Sequence, residues 1–422
     1  MVFGKLKNKT SNSEAGGNHV VALDIGTEFV KVLIAKIDGD DMKIIGTGRC
    51  RQEVSDMHAG AIADIGAVVR NCEEALAEAE EEARVQAEKV VIGIAGELVK
   101  GFTNTIKYKR PHPDRALDIN EMEFIIKKVQ ERAQEKAQKQ VAWETGNEDA
   151  EVRLVNSAIV SIHIDGYKVS NPIGFQGKDV TIQIYTAFAP MVHIGALERT
   201  ASELDLDLVA VAAEPFAVSR SVLGTDASSN FTAILTDIGG GSTDIAVVND
   251  GGVEGTKMFG IGGRSFTRTI ASDMNLTYID AEKLKVNIDN ANIKESVAEQ
   301  VDAAIDKTLE VWLNGVEMAL SEFNSVDHLP NRILLCGGGA SLGKLVKAMS
   351  KEDWYKELPF TKRPTVQLID PTSVVGIKDA TNQVNDHTFI TAMGLLRVGH
   401  DTMVGGSEAD TVKDKLNRIL RI

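Results

Sequence analysis

The sequence is poor in cysteine: Cys50, Cys72 and Cys336 are the only three among 422 residues. Thiols this few and scattered build neither a disulfide framework nor a zinc knuckle, which points to a reducing compartment. Basic residues are also scarce, 46 against 61 acids, for a formal charge of −15. That deficit argues against a nucleic-acid partner, because backbone affinity rests on clustered Lys and Arg. No run approaches the ~18 apolar residues of a membrane-crossing helix. Residues 1–18 carry Lys5, Lys7 and Lys9 but no apolar stretch of a secretory leader, so a flexible tail and a cytoplasmic protein are expected. What is present is 43% hydrophobic and 25% charged residues, ample core material for a chain longer than one typical domain.

Three β-rich runs at 20–25, 28–37 and 42–48, broken by Gly26-Thr27 and Asp38-Gly39-Asp40, predict an antiparallel meander. Ile62, Ile65, Val69, Cys72 and Leu76 then mark one face of a helix, with the acids of 73–82 largely on the other. That acid run reads as a solvated helix face rather than a metal site. A strand at 90–95, a helix over 120–137 and two long strands at 152–164 and 180–189 form a strand–helix–strand–strand unit. It interrupts an α/β pattern that resumes with a helix near 192–203 and a strand at 208–212. Asp118 and Glu121 stand at capping-box spacing before the helix of that unit.

The second half repeats the opening. Runs at 233–238, 243–248 and 253–259 are again three strands with glycine-rich turns, so the fold is expected to be duplicated. Asp24-Ile25-Gly26-Thr27 and Asp237-Ile238-Gly239-Gly240-Gly241-Ser242-Thr243-Asp244 hold the same place in the two meanders. A long helix over 297–323 follows, with Trp312 read as core. A buried strand at 333–335 then runs into Cys336-Gly337-Gly338-Gly339.

A nucleotide triphosphate needs backbone N–H groups close to its oxygens, where side chains would obstruct. The first turn alone equally suits an ordinary hairpin. Three successive glycines in the second raise the entropy cost of ordering, which a plain hairpin has no use for. With Gly337, Gly338 and Gly339 after a strand, the set predicts two turns facing each other across a cleft and clamping phosphates. Asp24 and Asp237, each at a strand end, would hold a hydrated Mg²⁺, which suits one or two carboxylates plus water and phosphate. Gly262-Gly263 opens a helix at 264–271, and helix N-termini favour anions.

These residues resemble the actin-like ATPase superfamily and, within it, the FtsA family of bacterial cell division, from about Val20 to Gly399. Besides the glycine turns, the resemblance is carried by Asn171-Pro172-Ile173-Gly174-Phe175-Gln176-Gly177 and by Thr391-Ala392-Met393-Gly394-Leu395-Leu396. It implies an α/β, actin-like duplicated two-domain fold around a nucleotide cleft, with an inserted SHS2 unit called 1C. In those terms 19–87 with 190–224 and 388–400 form subdomain 1A, 88–189 form 1C, 225–281 with 330–387 form 2A, and 282–329 form 2B. ATP or ADP with Mg²⁺ is the implied cofactor, bound by Gly26, Thr27, Gly239, Gly240, Gly241, Ser242, Gly262, Gly263, Gly337, Gly338 and Gly339. Glu282 and Lys285 are implied at the purine and ribose, although the residues alone equally suit a helix-surface ion pair. Filament formation and the C-terminal peptide of FtsZ, bound around 282–326, are implied as well, with other division proteins as further partners.

Two departures from the FtsA pattern stand out. Ser242 replaces a usual Thr and keeps the hydroxyl. Glu214-Pro215 places an acid where FtsA proteins tend to lack one, while MreB and chaperone ATPases use a Glu there to orient the attacking water. Glu214 is thus a candidate catalytic residue of at most a slow ATPase; a helix-start Glu-Pro is the plainer reading. A PilM-like ATPase of type IV pilus assembly shares the fold and is the alternative. No sugar pocket or long substrate-binding domain favours a kinase or chaperone.

After a Gly/Ser/acid linker at 401–410, residues 411–422 place Val412, Leu416, Ile419 and Leu420 at i, i+4, i+7 and i+8. Lys413, Lys415, Arg418 and Arg421 stand against the single Asp414. A basic amphipathic helix after a linker reads as a membrane-surface anchor on anionic lipid, which the resemblance to FtsA implies is the inner membrane face at the division site. Docking on its own domain or on a partner is the other reading.

Overall fold

The structure, a computed structural model, describes residues 18–223, 230–288, 293–323, 326–351 and 353–404. It opens with the meander β1 (His19–Ile25), β2 (Phe29–Asp38) and β3 (Asp41–Arg51), then a small hairpin, β4 (Met57–His58) and β5 (Ala61–Ile62). Helix α1 (Ile65–Ala83) starts at Asp64, whose side chain accepts from Ala67 N, and ends at Arg84 in the left-handed region. It lies on β3 because that strand carries glycine beneath it: a Cβ at Gly48 would fall 1.8 Å from the Ala75 carbonyl oxygen. The 73–82 acids are not merely solvated. β3 pairs β17 over only three residues, so Thr47 and Arg49 present unpaired edge N–H groups. Glu82 accepts from Thr47 N at 2.8 Å and Glu78 from Arg49 N at 2.8 Å, closing that edge.

The next strand corrects the expected boundary of the insertion. β6 (Lys89–Ile94) runs parallel to β1, with Val21 opposite Val90, and belongs to the first sheet. The unit expected over 88–189 therefore begins later, with β7 (Lys100–Lys109), and β6 cannot be its first strand. It continues through α2 (Ile119–Thr145), β8 (Val152–Ile164), β9 (Tyr167–Lys168) and β10 (Asp179–Pro190). Asp118 caps α2 by accepting from Glu121 N. Glu121 does not return the bond as a capping box would; it holds buried Arg110 instead, at 2.8 Å. Met122, Ile125, Ile126 and Val129 of α2 are fully buried on this sheet, each contributing roughly 1.5–3 kcal/mol.

After α3 (Met191–Glu203), β11 (Asp207–Ala213) and α4 (Glu214–Leu223), the second half begins with β12 (Ala233–Ile238), β13 (Thr243–Asn249) and β14 (Gly252–Phe259). Helices α5 (Gly263–Met274), α6 (Tyr278–Val286) and α7 (Glu295–Ser321) follow, then β15 (Arg332–Cys336), α8 (Gly343–Lys351) and β16 (Thr365–Leu368). A subdomain border at 281/282 falls inside α6. Moreover, Ala281 shares one continuous core with Val301, Trp312 and Ile234. Trp312 is core, its indole N–H donating to Thr243 Oγ1 at 2.8 Å. The chain returns to the first sheet as β17 (Ile377–Asp379) and closes with α9 (Ile390–Val404).

The first sheet has the order β11-β6-β1-β2-β3-β17. The second runs β16-β15-β12-β13-β14-β7-β10-β8-β9, so the insertion extends the sheet of the second half. The seam is short, Gly255 opposite Phe102 and Thr256 opposite Gly101. It is reinforced by Thr103 Oγ1 donating to Val253 O at 2.6 Å and by the buried Tyr185–Thr256 hydroxyl contact at 3.2 Å. This duplicated, mixed α/β architecture has two sheets, each with the three-strand meander of one half. The 1–17 tail, the 405–410 part of the linker, and Val412, Lys413, Leu416, Arg418, Ile419 and Leu420 lie outside the described residues.

Candidate functional site

Each half places a carboxylate one residue before the end of its first strand. Asp24 in β1 and Asp237 in β12 are both almost fully buried and line the space between the halves. Asp24, Gly26, Thr27, Glu214, Asp237, Gly239, Gly240, Ser242, Gly263, Glu282, Lys285, Gly337, Gly338 and Gly339 line one cavity of about 510 Å³. Gly241 and Gly262 are not on its wall; Gly241 packs against Thr27 and Gly262 against Gly239 and Gly240.

The two Asp-led turns touch instead of merely facing each other. A Cβ at Gly241 would stand 2.6 Å from Thr27 Oγ1, so this glycine is what lets the halves meet. At Gly337, φ is +82° and a Cβ would collide with Asp237 Oδ1 at 2.0 Å; Gly338 faces open space. The amides of Thr27, Gly240, Gly241 and Gly338 have no hydrogen-bond acceptor among the described residues. The start of α5 differs from expectation: Gly263 N donates to Gly239 O at 2.9 Å and Arg264 N to Gly240 O at 2.8 Å. Those helix-terminal donors hold the second turn and are not available to an anion.

The floor of the cavity concentrates charge. Asp237 faces Asp244 across β12 and β13 and Cys336 across β12 and β15. Asp24 faces Lys31 across β1 and β2, and the pair meets at 2.9 Å. Lys31, which the sequence reading missed, is thus the cation among Asp24, Asp237 and Glu214. Burial alone would lower its pKa, but the ion pair with Asp24 carries it above the usual lysine value. Glu214, the first residue of α4, is pushed well above the carboxylate range by burial and then by Asp24, Asp244 and Asp237, with Lys31 opposing. Asp237 is raised by burial, although the Thr391 hydroxyl donates to it. Burial and Asp237 push Asp244 up to about 8. Asp244 accepts from Ser242 Oγ at 3.0 Å through one oxygen, while its other, buried oxygen has no partner.

Four carboxylates against one lysine, with an orphaned oxygen, fit a bound cation. No three acids stand at direct metal-ligand spacing among the described residues. The fit is therefore to Mg²⁺ carried largely by water and phosphate, which Asp24 and Asp237 would orient.

On the second-half wall, Lys285 bonds Glu282 at 2.8 Å, Gly263 O at 2.9 Å and Thr267 Oγ1 at 2.8 Å; Thr267 also donates to Glu282. Glu282 and Lys285 are thus part of a half-buried network rather than a free surface pair. Ile279, Val286, Ile288 and Leu342 add an apolar surface beside it, suited to a planar ring.

The family profile described as Cell division protein FtsA matches residues 234–394. A Cell division protein FtsA of Enterococcus hirae is 26% identical over 419 residues, 91% of this chain and 88% of that protein. The FtsA of Pseudomonas aeruginosa is 24% identical over 413 residues, covering 92% and 90%. Among solved structures, the PilM–PilN type IV pilus biogenesis complex matches with a TM-score of 0.64 at 18% identity, covering 90% of this chain and 98% of that one. At that identity it is a likeness of fold. The resemblance to FtsA read from the sequence is thus borne out along most of the chain.

Proposed function

From a chain related over most of its length to FtsA cell-division proteins, we propose an ATP-binding, actin-like protein of division. It assembles head to tail and tethers FtsZ filaments to the inner membrane face. The observation that carries the reading is the cleft. Two Asp-led turns from duplicated halves meet beneath unpaired amides, and a third glycine loop and a carboxylate cluster stand beside them.

In this reading the amides of Thr27, Gly240, Gly241 and Gly338 cradle phosphate, and Lys31 neutralises it. Glu282 and Lys285 hold the ribose while the apolar wall holds the base. Asp24 and Asp237 would hold a hydrated Mg²⁺, which when bound would neutralise part of the negative charge of phosphate and carboxylates. Glu214 lines the same cavity as the acid cluster, where it positions water for attack. Turnover is slow, with nucleotide regulating assembly.

The FtsZ tail peptide binds around 282–326, and the SHS2 unit takes part in filament contacts. Residues 411–422 lie on anionic lipid. One copy is a marginal anchor, because four aliphatic side chains at roughly 1.5–3 kcal/mol each for full burial must offset helix ordering and incomplete insertion. A filament presenting many copies binds by avidity. The likeness to the pilus complex concerns fold alone and does not displace this reading. The test is co-pelleting with anionic and neutral vesicles, with and without ATP and FtsZ. ATP-enhanced pelleting on anionic lipid that carries FtsZ down supports the proposal. Failure to pellet under every condition refutes the tethering part.

A further inference from the structure

Arg264 stands in the first turn of α5, in the second half, yet its guanidinium is bound entirely to the first. Nε donates to Glu28 Oε2 at 2.9 Å, Nη1 to Val54 O at 3.2 Å and Nη2 to Glu53 O at 3.3 Å. The residue is only 4% exposed. Glu28, directly after the first glycine turn, is gripped from its other side by Arg51, through Nε at 3.0 Å and Nη2 at 2.7 Å. Its carbonyl accepts from Gln52 N at 3.0 Å, which ties the turn to the 52–54 segment that also meets Arg264.

Where Arg264 sits decides what the contact does. Its own backbone N–H fixes Gly240 O of the second turn, while its side chain fixes the residue after the first. One residue therefore holds both turns in register. Arg264 and Glu28 also form part of the cavity wall, beside Gly239, Gly240 and Glu282. A planar fork with three engaged donors suits this role in a way a point charge does not. Opening the halves along this edge breaks all three side-chain bonds together and returns the guanidinium to water, which softens the loss.

We infer that Arg264 and Glu28 form a latch between the two halves that sets how fast nucleotide leaves and enters the cleft. The inference rests on the nucleotide reading above. Arg264 is a positioning residue here; it acts through the two turns.

The experiment pairs two readouts on the full chain. Stopped flow follows release of a fluorescent ADP analogue, and hydrogen exchange in nucleotide-free protein follows amides at 53–56 and 263–266. Arg264→Met should speed release about tenfold or more, the loss of at least one charge-assisted hydrogen bond. Glu28→Gln should shift release in the same direction by less. The double variant should go no further than Arg264→Met, because both remove one contact. Arg264→Lys should restore part of the slow release, and added salt should quicken release in the wild type more than in Arg264→Met. Exchange at both segments should rise in Arg264→Met without nucleotide. Unchanged exchange overturns the latch. Faster exchange with unchanged release overturns its control of nucleotide. Absence of any binding by the wild type sinks the nucleotide reading and the rate claim together, and exchange alone then decides the contact.

Discussion

Replacing Asp244 by asparagine removes a buried negative charge from a cluster that already holds Asp24, Asp237 and Glu214 around one lysine. Burial and Asp237 push the Asp244 carboxyl from 3.8 to about 8. With its folded pKa raised, the native state binds a proton that the unfolded chain releases. The stability that this group contributes is therefore fully present below about pH 4, falls as pH rises, and levels off above about pH 8. At about 1.4 kcal/mol per pH unit, the loss at pH 7 has a ceiling on the order of 4 kcal/mol. Asp237 and Glu214 take up part of the same strain, so we expect Asp244→Asn to be about 1–3 kcal/mol more stable than wild type at pH 8. The amide keeps an acceptor for Ser242 and fills the place of the neutral acid, so the gap between the two proteins should shrink toward pH 4.5. Urea midpoints between pH 4.5 and 8.5, without nucleotide or divalent cation, measure the difference. Saturating Mg²⁺ and ATP should reverse the order, because the cation rewards the charge that the variant lacks. Parallel curves across the whole pH range, or a constant destabilisation, would refute the electrostatic account of the cluster.

Glu214→Ala should lower ATPase turnover at least tenfold while nucleotide affinity stays within a few-fold in a filter-binding assay; unchanged turnover returns Glu214 to a structural role. Glu82→Ala takes an acceptor from Thr47 N, Thr47 Oγ1 and Gln383, and should cost about 1–3 kcal/mol in urea unfolding; a neutral effect means water closes the β3 edge equally well. Leu416→Glu should free the protein from anionic vesicles in a pelleting assay. Equal pelleting by this variant moves the anchor elsewhere, with Phe3 and Leu6 the next candidates.

The parts of the molecule governed by local pattern were legible. Both meanders follow from alternating runs and glycine turns, and the paired Asp-led turns marked the duplication and the cleft floor. Contacts between distant segments were not. Lys89–Ile94 reads as a buried strand in any sheet, and only its parallel pairing with β1 puts it in the first. Lys100–Lys109 carries no strand signal of its own, because its many polar residues give little alternation; it is a strand because β10 and β14 flank it from far along the chain. Lys31 left one faint signal, a lysine between valines in a mostly apolar strand, and its meaning depends on Asp24 lying opposite. Glu78 and Glu82 looked solvated because the unpaired edge they close belongs to another element. Arg264 and Glu28 lie 236 positions apart, and nothing local to either announces the other.

The most direct measurement of the cleft's function is a calorimetric titration of ATP with Mg²⁺ into the wild type and into Asp237→Ala. We expect one saturable site in the wild type, weakened by EDTA. Asp237→Ala should show none while keeping the far-ultraviolet circular dichroism of the folded wild type. A variant that binds Mg²⁺ and ATP as tightly as the wild type would contradict the assignment of the cleft.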